Sequence, residues 1–266
     1  MEGEAASLAP EEKRIWQALI ARRRGDDTPL PVPASPEASV LLDLYGPVCQ
    51  VPRGRPFALA HLGQSLDGRI ATNSGASRWL TGEADLLHTH RLRALADAVL
   101  VGAGTVRHDD PQLTVRRCTG ANPVRVVIDA ERRLPPGHRV FQDGAAPTLV
   151  LAAADVARSG ERLGEAEIMA LQRDRDGGLA PAAIRAALAA RGLSFLFVEG
   201  GGVTISRFLA AGALDRLQLT VAPLLLGSGR PSLALPEIAE LQQGLRPRMR
   251  RFSLGADMLY ESILHE

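Results

Sequence analysis

The sequence predicts a three-layer α/β domain with a mostly parallel central sheet, and three observations carry that prediction. From Phe57 onward, short apolar segments alternate with helical patterns, the βαβ order that places helices on both faces of a parallel sheet. Runs such as VVI in VRVVID (124–129) and FLFV in SFLFV (194–198) are apolar at every position, as expected of strands covered on both sides. The last two strand candidates, around 248–254 and 257–264, are separated only by a turn at Gly255, which predicts a C-terminal antiparallel hairpin at a sheet edge.

Residues 10–24 (PEEKRIWQALIARRR) read as one amphipathic helix. Ile15, Trp16, Leu19 and Ile20 are apolar at near-helical spacing, Glu11 and Glu12 lie in the first turn, Arg22 to Arg24 lie in the last, and Gly25 ends it. Pro29, Pro31, Pro33, Pro36, Pro47, Pro52 and Pro56 follow, a spacing that argues against sustained regular structure. Residues 1–56 are therefore expected to be a helix on an extended Pro-rich tether, and residues 57–266 the folded domain. Docking of the helix on its own domain is favoured over docking on a second subunit or a foreign partner. Strands are expected at 57–63, 98–102, 124–129, 148–152, 166–171, 194–198 and within 214–226, and helices at 82–95, 180–191 and 203–211.

Composition narrows the function. With 31 basic and 30 acidic residues in 266, the chain lacks the basic excess of a dedicated nucleic-acid binder. Cys49 and Cys118 are too few for a disulfide framework or a Cys-rich zinc module. No apolar run approaches membrane-spanning length, and the acidic N-terminus MEGEAASLAP lacks a signal core, so a cytoplasmic enzyme is expected. Lys13 is the only lysine, which removes Schiff-base chemistry from the body of the chain.

Four clusters offer chemistry. VGAGTVR (101–107) follows a strand; its glycines permit close backbone approach to a ligand, and Thr105 offers a hydroxyl, although a simple tight turn fits equally well. FVEGGG (197–202) puts three glycines between a strand end and a helix start, an anion-collecting position to which Thr204 and Ser206 add hydroxyls. A carboxylate is misplaced beside a phosphate, so Glu199 is expected to face a donor-rich substrate. In SLDGRIA (65–71) and SRWLT (77–81), Asp67 either orients a substrate or caps its turn, and Trp79 can cover a planar ring. Near RHDDP (107–111), adjacent residues cannot converge on one ion, and His88 and His90 lie on different helix faces, so no metal site is expected. Arg93 and Arg116 are candidates for a substrate phosphate.

Taken in order, SLDGRIA, SRWLT, LRALADAVLVGAGTVRHDDPQLTVR, PVRVVID, FVEGG and VAPLLLG closely resemble the reductase domain of the bacterial riboflavin-specific deaminase/reductase family over about residues 57–266. The resemblance implies a dihydrofolate-reductase-like fold and NADPH-dependent reduction of 5-amino-6-(5-phosphoribosylamino)uracil to its ribitylamino product. It assigns Ser77, Arg93, Leu113, Arg116 and Glu199 to the substrate. It assigns Gly63, Trp79, Thr105, Asp109, Ala130, Gly201, Gly202, Val203, Thr204, Ile205, Ser206 and Arg207 to NADPH. Arg132 and Arg133 are the guess for the cofactor 2′-phosphate. Dimerisation as a homodimer is also implied.

Two departures stand out. A helix and a Pro-rich stretch occupy the place of the family's N-terminal deaminase, so a separate deaminase is expected in the pathway. His61 stands where bacterial members often have Lys, which alters the charge near the substrate. A same-fold reductase acting on a pterin-like or other aminopyrimidine, and a non-catalytic nucleotide-binding scaffold, are the alternatives.

Overall fold

The computed structural model describes residues 9–265. Two helices, α1 (Pro10–Arg23) and α2 (Pro36–Cys49), precede the first strand. The apolar face of α1 is buried as its spacing predicts, with Ile15, Trp16 and Leu19 at most 1% exposed. Trp16 Nε1 donates to the Thr119 carbonyl at 2.9 Å, and the Arg23 guanidinium reaches the Asp97 carboxylate at 2.9 Å, so the helix is tied to the domain at its middle and at its C-terminal end.

The expected tether is corrected by α2. Pro36 sits in the first helical turn, where no backbone N–H is needed, and Ser35 caps it by accepting from Ala38 N. Pro47 lies inside the helix and cannot donate to the carbonyl of Asp43. Arg250 supplies the missing donor, its Nη1 lying 2.7 Å from that oxygen. Long-range packing therefore overrides the local signal. Leu41, Leu44, Tyr45 and Val48 of α2 are buried in the same core as α1.

The domain proper runs β1 (Phe57–Ser65), β2 (Arg69–Thr72), α3 (Glu83–Leu95), β3 (Ala98–Gly102), α4 (Ala103–Asp109), β4 (Val124–Ile128), β5 (Thr148–Ala153), β6 (Arg162–Leu163), β7 (Ala166–Leu171), α5 (Pro181–Ala190), β8 (Phe195–Glu199), α6 (Gly202–Ala210), β9 (Arg216–Ala222), β10 (Gly229–Pro231), β11 (Arg248–Leu254) and β12 (Asp257–Ile263). The main sheet has the order β11-β12-β9-β1-β8-β3-β4-β5-β7-β6. Its centre, from β9 through β7, is parallel throughout, and the predicted β11–β12 hairpin closes one edge antiparallel. β2 and β10 form a separate ribbon that the sequence presented only as turns.

Strand alternation sorts the core into two layers. Phe57, Leu59, Val99, Val101, Phe195 and Phe197 face α1, α2 and α3. Ala58, Ala60, Ala98, Leu100, Leu196 and Val198 face α5 and α6. The arrangement is thus helices, sheet, helices, as predicted. Among the described residues no helix is long and apolar enough to cross a membrane.

One rung of the sheet breaks the apolar pattern. Glu199 on β8 is in register with His61 on β1, His61 with Gln218 on β9, and Gln218 with Glu261 on β12. His61, Gln218 and Glu261 are each at most 4% exposed. Buried polar groups on this scale require partners: Asp85 and His88 of α3 serve His61 and Gln218, while Arg216 and Arg250 serve Glu261.

Candidate active site

The carboxyl ends of β1, β3 and β8 open on two cavities, the position where parallel α/β sheets bind ligands. The larger, about 720 Å³, is lined by Gly102 to Thr105, His108 and Asp109 after β3 and by Glu199 to Thr204 and Arg207 after β8. Ile70, Ala71 and Arg230 of the β2–β10 ribbon complete its wall. The smaller, about 370 Å³, is lined by His61, Gly63, Ser77, Trp79, Thr81, Asp85, Arg93, Glu199 and Gly200. Ser77, Glu199 and Gly200 belong to both.

The glycines explain the larger cavity. Gly200 and Gly201 have φ of +72° and +70°, which side chains other than glycine adopt only with strain. A Cβ on Gly202 would collide with the Ser232 carbonyl, and one on Gly102 would lie 2.7 Å from Thr204 Oγ1. Gly104 differs: a Cβ there meets nothing within 4 Å, because it borders the cavity. Ile205 N is bonded to the Gly201 carbonyl at 3.2 Å, so the N–H groups of Gly202 to Thr204 precede the first helical bond. This backbone cradle, the α6 dipole and the nearby Arg207 and Arg230 fit a dinucleotide pyrophosphate.

In the smaller cavity, Arg93 (6% exposed) donates from Nε to Glu199 Oε2 at 2.7 Å and from Nη2 to Oε1 at 2.5 Å. Its Nη1 donates to the Thr114 carbonyl at 2.9 Å. Arg93 and Glu199 are therefore each other's partners, and the fork offered to a phosphate is engaged by the carboxylate. Arg116 N donates to His90 Nδ1 at 3.0 Å, and the Arg116 guanidinium contacts Thr114 Oγ1. Burial, then the neighbouring Arg93, Arg116 and Arg117, push His90 down to about 3, so its ring serves as a neutral acceptor. Leu113 is buried with φ of +53°, bending the loop that carries Thr114 and Arg116.

His61 Nε2 lies 3.1 Å from Asp85 Oδ1, which also accepts from Thr220 Oγ1 at 2.6 Å. Burial acts to raise the Asp85 carboxyl, but His61, His88 and Thr220 outweigh it and hold the group well below the usual carboxylate range. His61 Nδ1 is buried without a hydrogen-bond partner. A 4% exposed imidazole with one nitrogen fixed on a carboxylate and the other unused thus stands in the cavity wall beside Glu199.

The predicted residues divide accordingly. Thr105, Asp109, Gly201, Gly202, Val203, Thr204 and Arg207 line the larger cavity, Gly63, Trp79 and Arg93 the smaller, and Ser77 and Glu199 both. Leu113, Arg116 and Ala130 line neither, Ile205 is core, and Ser206 Oγ accepts from Ala234 N. Asp67 is a turn clamp: it accepts from Ser65 Oγ and from the backbone of Leu226 and Gly227. Those bonds, Ser65 first, hold its carboxyl down to about 2. Arg132 pairs with Glu161, and neither it nor Arg133 lines the larger cavity; the arginines that do are Arg207 and Arg230. His61 as a buried, carboxylate-paired group was missed, as were Asp85 and Thr220. The signal was a histidine inside the apolar strand FALAHLG and an Asp/His pair three residues apart on α3.

Comparison with known proteins identifies the family and the fold. A family model described as the RibD C-terminal domain matches residues 56–253. The 2,5-diamino-6-ribosylamino-4(3H)-pyrimidinone 5′-phosphate reductase of Methanothermobacter thermautotrophicus is 36% identical over 217 residues, covering 78% of this chain and 97% of that protein. The riboflavin biosynthesis protein RibD of Bacillus amyloliquefaciens is 38% identical over 177 residues, covering 65% of this chain and 47% of that protein. The crystal structure of a Thermotoga maritima diaminohydroxyphosphoribosylaminopyrimidine deaminase/5-amino-6-(5-phosphoribosylamino)uracil reductase superposes with a TM-score of 0.68 at 29% identity, covering 85% of this chain and 61% of that one. The chain thus spans nearly the whole archaeal relative but about half of the Bacillus protein.

Proposed function

The chain belongs to the RibD C-terminal domain family, and on that premise we propose that it reduces the ribosyl group of a 5-phosphoribosylaminopyrimidine to the ribityl chain with NADPH, as an enzyme of riboflavin biosynthesis. The carrying observation is that the two cavities share Ser77, Glu199 and Gly200, so a ligand in one abuts a ligand in the other. Hydride transfer requires donor and acceptor in that kind of contact.

When bound, the nicotinamide supplies the hydride; the chain supplies position, charge and a proton. The cradle from Gly201 to Thr204 holds the pyrophosphate, and Arg230 and Arg207, the latter paired with Asp174, are the guanidinium groups on the larger cavity that can meet the extra phosphate of NADPH. Glu199 accepts from the donor-rich pyrimidine edge and Arg93 orients it. The sugar ring opens when the C1′–O4′ electron pair moves to O4′, which takes a proton while the exocyclic nitrogen forms C1′=N. Hydride addition at C1′ then returns the π pair to nitrogen. His61, set on Asp85, is the group in the smaller cavity suited to give that proton. A cytoplasmic homodimer is part of the same proposal.

The test is turnover of NADPH with 5-amino-6-(5-phosphoribosylamino)uracil, with the diaminopyrimidinone phosphate and with a dihydropterin. Oxidation with either phosphoribosyl compound supports the proposal. Oxidation with the dihydropterin alone favours the same-fold alternative, and binding without turnover favours the scaffold.

A further inference from the structure

A buried chain of hydrogen bonds runs from β12 through β9 and α3 to α2, one ring contact away from the smaller cavity, and the direction of each bond is fixed. Glu261 Oε1, on a carboxylate that only accepts, receives Gln218 Nε2 at 3.0 Å. The Gln218 amide therefore presents Oε1 to His88 Nε2, 2.8 Å away, and that nitrogen must carry hydrogen. Burial pushes His88 down to about 3, so the ring is neutral and its Nδ1 holds a lone pair. Tyr45 Oη lies 2.7 Å from that Nδ1, and burial raises the phenol, so Tyr45 is the donor. The His88 ring meets His61 edge to face at 5.0 Å, and both imidazoles draw on the charge of Asp85.

We propose that Tyr45 is a positioning residue for His61: together with Gln218 it occupies both nitrogens of His88, which fixes that ring edge-on against His61 and leaves the Asp85 carboxylate to the imidazole in the substrate cavity. Tyr45 lies on α2, outside residues 56–253 that match the family model, so the proposal gives α2 a part in positioning the site. The groups facing His61 are Asp85 and His88 from α3, Glu199 in register on β8, and Gln218 in register on β9. Arg93 is held by Glu199, and Arg91 lies over the Tyr45 ring at 5.7 Å. Without the phenol, His88 Nδ1 is buried with no partner, and the ring is free to turn or to move its hydrogen between the two nitrogens. A displaced His88 then no longer holds the His61 ring against Asp85.

This inference rests on the proposed function for its catalytic consequence but not for its physical content. The experiment is an NMR titration of the full chain labelled at its six histidines, with His61→Gln and His88→Gln spectra used for assignment. In the wild type, His88 is expected to remain neutral with hydrogen on Nε2 down to about pH 4.5. In Tyr45→Phe, which keeps the ring and loses the hydroxyl, the His88 nitrogen shifts are expected to show both the Nδ1–H and the Nε2–H tautomers. The kcat for pyrimidine reduction is expected to drop about tenfold, with KM within about twofold. A charged His88, or one with hydrogen on Nδ1, in the wild type overturns the inference whether or not the variant folds. So does a Tyr45→Phe variant in which His88 keeps hydrogen on Nε2 alone. Absence of wild-type turnover counts against the proposed function alone, because the titrations still decide this point.

Discussion

Arg93 grips Glu199 with two parallel hydrogen bonds, of 2.7 Å and 2.5 Å, where the two cavities meet. A guanidinium with 7% of its side chain exposed has little water to fall back on. Glu199→Gln should therefore lower both stability, by about 2 kcal/mol in urea unfolding, and kcat/KM, by about 100-fold. Unchanged kinetics would place the substrate elsewhere.

Gly104→Ala separates cavity space from fold. An added Cβ meets nothing within 4 Å, and the position is helical, so thermal stability should hold or rise slightly. The methyl borders the larger cavity, so NADPH affinity should fall by about tenfold, measured by fluorescence titration. An equal affinity would move the pyrophosphate away from the β3 loop.

Removing residues 1–50 should leave no folded reductase domain. Ile15, Trp16, Leu19, Leu41, Leu44, Tyr45 and Val48 are buried in the core shared with Phe57, Leu92 and Phe195. At about 1.5–3 kcal/mol per buried side chain, the lost burial of about 10–20 kcal/mol is as large as the usual net stability of about 5–15 kcal/mol. Circular dichroism and solubility of the truncated chain check this; a cooperative thermal transition at the wild-type temperature would contradict it.

Stability should decline on mild acidification. Burial, then the neighbouring His61, depresses His88 to about 3, below its ordinary 6.5, so the folded chain refuses a proton that the unfolded chain accepts. Unfolding free energy then rises with pH between those two values and falls as pH drops from about 6.5. From pH 6.5 to 5, His88 alone should cost about 2 kcal/mol, with His90 acting in the same direction. Urea unfolding at both pH values measures it, and His88→Gln should flatten the slope.

The long strands of the main sheet and helices α3, α5 and α6 were legible because their burial is regular, whereas β2, β6, β10 and the short α4 were not. VRVVID and SFLFV are covered on both faces, and α5 and α6 show plain apolar stripes. Helix α2 was not legible: its sense depends on Arg250, some 200 residues away, serving the Asp43 carbonyl that Pro47 abandons. Glycine loops and Glu199 could be read because backbone chemistry is local. The roles of His61, Asp85 and Tyr45 could not, since the sheet register of β1, β8 and β9 and the docking of α2 bring them together. Asp67 reads as a substrate group or a turn clamp with equal ease until the Leu226 and Gly227 amides are found on its carboxylate.

The most direct measurement is a single turnover with NADPH carrying deuterium at the transferable position of the nicotinamide and the phosphoribosylaminopyrimidine as acceptor. Oxidised cofactor and ribityl product should appear in equal amounts, the product with one deuterium at C1′. Tight cofactor binding with no label at C1′ would contradict the claim that the two cavities bring hydride donor and sugar together.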